Sequence, residues 1–319
     1  MSYIEGLVST IIPTYKRSEK LGRAIRSALE QSYRNIEVLV VSDNEPDDEY
    51  TAEAQRVVDS FGDDRVRLIT QEHHKNGAAA RNAGIRAAKG EYVAFLDDDD
   101  YWERRKIELQ VKLLSSLDES WGAVTCKNKA YVNGKLVAAQ TPIKDGWVCK
   151  GILSRTTSVS TDTILLRHIS LDESGYFDEN LRRHQEVQMM GMFAFKYKIK
   201  LLDMYLVCVD SSTNENQPDA DRMSVIKQEF LQAVKPVLDK LPKKDVKDIK
   251  IMNRFELGGL YFKTGHKKKG IKLMMGVFKS PRTIFCAINL LIRKFACQAF
   301  AKRRVQKDNY TIMEKMPMV

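Results

Sequence analysis

With 319 residues, 43% hydrophobic and 29% charged, the chain is long enough to bury a core and too apolar to be disordered. Its first residues, Met-Ser-Tyr-Ile-Glu-Gly, lack the basic and then apolar regions of a secretory signal, and no apolar run approaches the ~20 residues that span a bilayer. The formal charge of +10 is local: residues 257–307 hold 13 Lys and Arg and no Asp or Glu, so the remainder is mildly acidic and nucleic acid is not an expected partner. Cys126, Cys149, Cys208, Cys286 and Cys297 form no CxxC pair and read as the reduced thiols of a cytoplasmic protein.

In chain order, Leu7–Ile12, Glu37–Val41, Val66–Thr70 and Tyr92–Leu96 are apolar or β-branched runs of strand length. Lys20–Gln31, Tyr50–Phe61 and Ala78–Ala88 lie between them with helical patterning. The alternation predicts an α/β protein with a parallel sheet covered by helices. Such sheets bind ligands beyond the carboxyl ends of their strands. The polar clusters Pro13–Arg17, Ser42–Asp48, Gln71–Asn76 and Asp97–Asp100 fall in those places. Further on, the pattern predicts a helix over Glu103–Leu117, a strand at Gly122–Cys126 and a hairpin turn at Asn133-Gly134. A strand at Thr163–Leu166, a helix at Glu186–Tyr197 and a strand at Ile199–Val207 follow. The polar stretch Asn214–Asp221 marks a boundary, and helix formers dominate beyond it to about Arg304.

The strongest local signal is Phe95-Leu96-Asp97-Asp98-Asp99-Asp100-Tyr101-Trp102, a buried strand that ends in four carboxylates. Adjacent carboxylates repel one another unless solvent or a cation compensates. Taken alone, the run is either a solvated acidic turn or an all-oxygen site of the kind that suits Mg²⁺ or Mn²⁺.

Four separated motifs, in order, resemble those of glycosyltransferase family 2, whose fold is GT-A. Val8–Tyr15 is similar to the family's opening strand and nucleotide loop, and Val40–Asn44 to its second-strand acidic motif. Asn76–Gly84 resembles its small-residue helix start with an Arg-Asn pair, and the aspartate run its metal motif. The resemblance covers residues 7 to about 207. It implies a GT-A domain over 1–212, with a nucleotide-binding half to about 100 and an acceptor half from about 101, followed by a helical region over 213–319.

The same resemblance implies an inverting transferase of the hexosyl type. It would move a sugar from a nucleotide-diphospho-sugar, of the UDP-sugar kind, to a hydroxyl of a saccharide or lipid-linked saccharide in bacterial cell-surface polysaccharide synthesis. Its cofactor would be Mn²⁺ or Mg²⁺, with Asp99 as principal ligand and Asp97 as a second. Pro13, Thr14, Tyr15, Arg17, Asp43, Arg81, Asp97 and Asp98 would hold the nucleotide. Tyr15 can flank a base and Asp43 can read its edge, while Arg17 and Arg81 offer forked cations to phosphate oxygens. Gly175–Glu186 is similar to the segment that ends in the family's catalytic base, which places that role on Glu186. Ser42 stands where many members carry Asp, and Gln188 where a further acid is common.

Near the C-terminus, Ile284, Phe285, Ile288, Leu291, Ile292, Phe295 and Ala299 follow helical spacing. With basic clusters on either side, residues 280–304 predict an amphipathic helix for the anionic inner face of a cell membrane. The competing reading is a helix that packs this apolar stripe on the domain. Two other activities fit parts of the pattern. A nucleotidyltransferase would carry a Gly-rich basic loop after the first strand, and Pro13–Arg17 has no glycine. A nonenzymatic RNA- or membrane-binding protein would have no use for Asp97–Asp100 or Glu186.

Overall fold

The computed structural model describes residues 3–141, 143–212 and 218–306. Strands β1 (Ile4–Thr14), β2 (Ile36–Ser42), β3 (Val66–Thr70) and β4 (Gly90–Phe95) alternate with helices α1 (Leu21–Leu29), α2 (Glu49–Asp59) and α3 (Gly77–Ala87). Next come β5 (Tyr101–Trp102), α4 (Lys106–Ser115), β6 (Trp121–Val132), β7 (Lys135–Ala139), α5 (Cys149–Leu153), β8 (Ile164–Arg167), α6 (His168–Ser174), α7 (Gln185–Lys196) and β9 (Lys198–Asp210). Five helices complete the described chain: α8 (Ala220–Ala233), α9 (Lys235–Leu238), α10 (Lys243–Lys263), α11 (Lys267–Met274) and α12 (Pro281–Ala299). The boundary expected at 212/213 meets residues 213–217, which lie outside the described residues.

All the strands form one sheet in the order β3-β2-β1-β4-β8-β6-β9-β5, with β7 paired to β6. The expected parallel arrangement holds for β3, β2, β1 and β4. From there the sheet is mixed, because β8 runs antiparallel to both β4 and β6 while β6 and β9 are parallel. Both faces are covered, so the strands read as continuous apolar runs. Alternate residues feed opposite cores: Ile11, Leu39, Val41, Val93 and Phe95 enter one, and Ile12, Val38, Val40, Ala94 and Leu96 the other. Phe230, Val234 and Ile249 from α8 to α10 join the first of these clusters. Asn253 ties α10 to α5 by donating to the Leu153 carbonyl at 2.8 Å. The hairpin at Asn133-Gly134 is present, with both residues at positive φ, as a two-residue turn that follows strand twist requires.

The small residues of α3 have a packing reason. Ala78, Ala79, Ala80 and Gly84 are buried, and a Cβ added to Gly84 would lie 2.4 Å from Cγ2 of the buried Ile11. Helix and strand therefore approach as closely as backbone allows, which brings the start of α3 beside the end of β1. Gly84→Val should lower stability by about 1–3 kcal/mol through overpacking. Urea denaturation will register this as a lower midpoint at an unchanged slope; a wild-type midpoint would show that α3 can ride up from β1 without loss.

Candidate active site

At the carboxyl ends of β1, β2 and β4, a cleft of about 340 Å³ opens. Pro13, Thr14, Tyr15, Arg17, Asp43, Arg81, Asp97 and Asp98, the eight residues expected at a nucleotide, all line it. They come from the end of β1 and the loop after it, the residue after β2, α3 and the loop after β4, so parallel strand order is what gathers them.

One end of the cleft is aromatic. Tyr15 stacks on His74 with ring centroids 4.2 Å apart. His74 is held in turn by the buried Asp43, its Nδ1 lying 2.8 Å from that residue's carbonyl oxygen and 3.1 Å from its carboxylate. The same carboxylate accepts from Gln71 Nε2 at 2.6 Å and from the Lys75 amide at 3.0 Å. Asp43 therefore orders the loop 71–75 as well as facing the cleft. The neighbouring Lys16 sits at φ 52°, with its amide donating to Asn44 Oδ1 at 3.0 Å.

At the other end the four aspartates diverge. Asp97 pairs with Arg81, and its amide donates to Asp162 Oδ1 at 3.0 Å. Asp98 is buried, accepts from Thr14 Oγ1 at 2.8 Å and lies 3.0 Å from Arg17. Burial pushes its pKa up to about 7, against the opposing pull of Arg17 and Thr14. Asp99 lies on the rim, 2.8 Å from Arg17 Nη1. Asp100 turns inward and accepts from the Asp210 amide at 2.9 Å.

Asp97, Asp100 and Asp162 bring carboxylate oxygens within 4.8 Å of one another. Burial and mutual repulsion raise the pKa of both Asp100 and Asp162. Crowded, poorly solvated carboxylates of this kind fit a hard divalent cation. Asp99 lies outside this cluster, so an ion between Asp97 and Asp99 would sit at the cleft rim, whereas one bound by the cluster would sit deeper. Behind the cluster, Lys106 is fully buried with Nζ 3.9 Å from the Trp102 ring centroid, and desolvation lowers its pKa to about 8.

Arg81 joins the two halves of the site. Its guanidinium is 5.8 Å from the Phe177 ring and senses the charges of Asp97, Asp162 and Glu186. Glu186 is half-buried in the first turn of α7. The segment before it is pinned to α3: Asn82 Nδ2 donates to the Phe177 carbonyl at 2.9 Å and Asn82 Oδ1 accepts from the Phe177 amide at 3.1 Å. Asn76 caps α3 through its carbonyl and donates to the Glu179 carbonyl at 2.8 Å. In the Arg-Asn pair, Arg81 thus turns to the cleft while Asn82 fixes the approach to Glu186.

Asp162, His74 and Lys106 were not among the expected site residues. Asp162 is a lone acid in Ser-Thr-Asp-Thr, with no spacing pattern around it. His74 has its partners in other loops, 59 and 31 residues away. Lys106 reads as an ordinary helix lysine.

Residues 9–157 match the family described as Glycosyl transferase family 2. Over 136 residues the chain is 35% identical to the UDP-Glc:alpha-D-GlcNAc-diphosphoundecaprenol beta-1,3-glucosyltransferase WfgD of Escherichia coli, a stretch covering 42% of this chain and 52% of that protein. The chain spans about half, or less, of the length of the curated relatives it matches. Among solved structures, S. aureus TarS 1-349 has a TM-score of 0.57 at 18% identity, covering 97% of this chain and 90% of that one. The mannosyltransferase PcManGT from Pyrobaculum calidifontis, solved with GDP-Man and Mn²⁺, has a TM-score of 0.58 at 16% identity, covering 96% and 84%. At these identities the likeness concerns the fold: a mixed sheet under helices, followed by a helical region, is the GT-A fold. Over residues 9–157 the chain is thus similar in sequence to glycosyl transferase family 2, and its fold is of the same kind as that of the two solved structures.

Proposed function

We propose that this protein is a metal-dependent inverting glycosyltransferase that moves a sugar from a UDP-sugar to a hydroxyl of a lipid-linked saccharide in cell-surface polysaccharide synthesis. The observation that carries this reading is the single cleft, which joins a stacking surface, two arginines and a divergent carboxylate run, with Glu186 near Arg81. The donor and acceptor classes are supported by the likeness to WfgD, whose name states UDP-Glc and a GlcNAc-diphosphoundecaprenol. Among the described residues no helix is long and apolar enough to cross a membrane. Contact with the lipid-linked acceptor would therefore come from the surface, through residues 280–304.

In this reading Tyr15, backed by His74, flanks the base, and Asp43 accepts from its edge. Arg17 and Arg81 exchange their carboxylate partners for diphosphate oxygens, which frees Asp97, Asp98 and Asp99 for the ribose and the cation. A bound Mn²⁺ or Mg²⁺ supplies charge stabilisation to the departing diphosphate. Glu186 takes the proton of the acceptor hydroxyl as that oxygen bonds to the anomeric carbon. The bond from this carbon to the diphosphate oxygen breaks in the same step, its electron pair leaving with the nucleoside diphosphate, and displacement from the opposite face inverts the centre.

Asp99→Ala should abolish transfer and remove the metal-dependent part of UDP affinity. Titration calorimetry with UDP, with and without Mn²⁺, checks this; an unchanged Mn²⁺ effect would move the ion to the Asp97, Asp100 and Asp162 cluster. Glu186→Gln keeps the side-chain shape but cannot accept a proton, so turnover should fall by about 10²–10⁴-fold with donor binding intact. Near-normal turnover at saturating acceptor would assign the base to another acid, with Asp178 the next candidate.

A further inference from the structure

Helix α10 sorts its charges by face. On α10, Asp245 and Asp248 turn toward the catalytic core and clamp Lys150 at 2.6 and 2.7 Å. Glu256 meets the buried Lys227 at 2.8 Å. The outward face carries Lys243, Lys247, Lys250 and Arg254, at spacings of four, three and four residues that stack them in one row. All four are exposed, and none makes an ion pair among the described residues.

Lys279, at the end of the 3₁₀ turn Met275–Lys279, faces this row across a groove of about 320 Å³. Val246 and Ile251 contribute apolar lining, and among the described residues no acid borders the groove. Five cations with no opposing charge among the described residues repel one another and concentrate a positive field, which an anion with several oxygens would relieve.

The surroundings point to the source of that anion. Phe278, next to Lys279, is 71% exposed, and Met275 in the same turn is 59% exposed. On α12 the inward contacts are made by Thr283, Cys286, Ala287 and Leu290. The apolar stripe read from the sequence stays outside, with Phe285 and Phe295 each 68% exposed and Leu291 and Ile292 more than half exposed. A soluble phosphate has no use for such a ridge, whereas an anionic membrane presents phosphate above hydrocarbon. We propose that the groove between α10 and Lys279 seats the phosphate headgroup of an anionic phospholipid while Phe278 and the outer face of α12 enter the interface. This rests on the membrane-surface reading above and adds a defined headgroup seat to it.

Co-sedimentation of the full chain with phosphatidylglycerol-containing and pure phosphatidylcholine vesicles tests the seat. The protein should pellet with the former alone, and less so as salt rises. The triple variant Lys247→Gln, Lys250→Gln, Arg254→Gln should lose about 10²-fold in partitioning, at a factor of about five per cation. Its UDP affinity should be unchanged, which checks the fold. Phe285→Ser with Phe295→Ser should also weaken binding while leaving the groove intact. If the wild-type chain ignores phosphatidylglycerol, the membrane reading falls and the seat with it. If the chain binds and the triple variant binds equally well, the seat alone is overturned. Glycerol 1-phosphate bound in calorimetry by the wild type, lost in the triple variant and accompanied by no vesicle binding, would make the groove a soluble-phosphate site and overturn the lipid assignment.

Discussion

Four successive carboxylates at the end of β4 cannot share one environment, and the site is organised by how their repulsion is relieved. Each acid is turned toward a different part of the chain: Asp97 to Arg81 of α3, Asp98 to Thr14 and Arg17 after β1, Asp99 to Arg17, and Asp100 to the Asp210 amide at the end of β9. The run therefore acts as a hub that draws the first, third and last parts of the domain to one sheet edge. The rise of Asp98 to about pKa 7, and of Asp100 and Asp162 as well, shows that protein partners do not fully offset the loss of water. A donor diphosphate with a divalent cation would relieve both the arginines and the acids they now hold.

The rest of the domain keeps that hub in place. Gly84 lets α3 settle on Ile11, which carries Arg81 to the cleft. One residue further on, Asn82 binds the backbone of Phe177 in both directions and so anchors the segment leading to Glu186. A backbone-scale approach, a cation and an amide on adjacent turns of one helix thus couple the end of β1 to the segment that precedes α7. Hydrogen bonds with both partners fixed by packing lose little on reorganisation, which suits the displacement proposed for this site.

The C-terminal helices follow a different electrostatic rule. On α10, Asp245, Asp248 and Glu256 face inward against Lys150 and Lys227, while cations with no ion pair among the described residues and exposed aromatic side chains collect outside. Arg293 of α12 donates to Thr141 Oγ1 at 3.0 Å and to the Thr156 carbonyl at 2.8 Å. Helix α12 is therefore anchored to the domain by a different face from its apolar stripe. That explains how the chain can hold the helix firmly and still leave Phe285 and Phe295 in solvent.

What the sequence by itself determined is local: strands β1 to β4, β6, β8 and β9, helices α1 to α4 and α7, the hairpin at Asn133-Gly134, and the polar residues that follow β1, β2 and β4 or open α3. Periodicity and turn chemistry act over a few residues, and parallel strand order then brings consecutive strand ends together. Only the tertiary structure decided the mixed order β4-β8-β6-β9, because short strands such as β8 carry no mark of their direction or neighbour. It also decided that Asp162 joins Asp97 and Asp100, and that His74 backs Tyr15. Each is a lone polar residue whose chemistry comes from partners tens of residues away, so no pattern in its own segment announces it. The outward stripe of α12 is the same lesson at larger scale: helical spacing shows that a face is apolar, but contacts made elsewhere determine whether that face is covered.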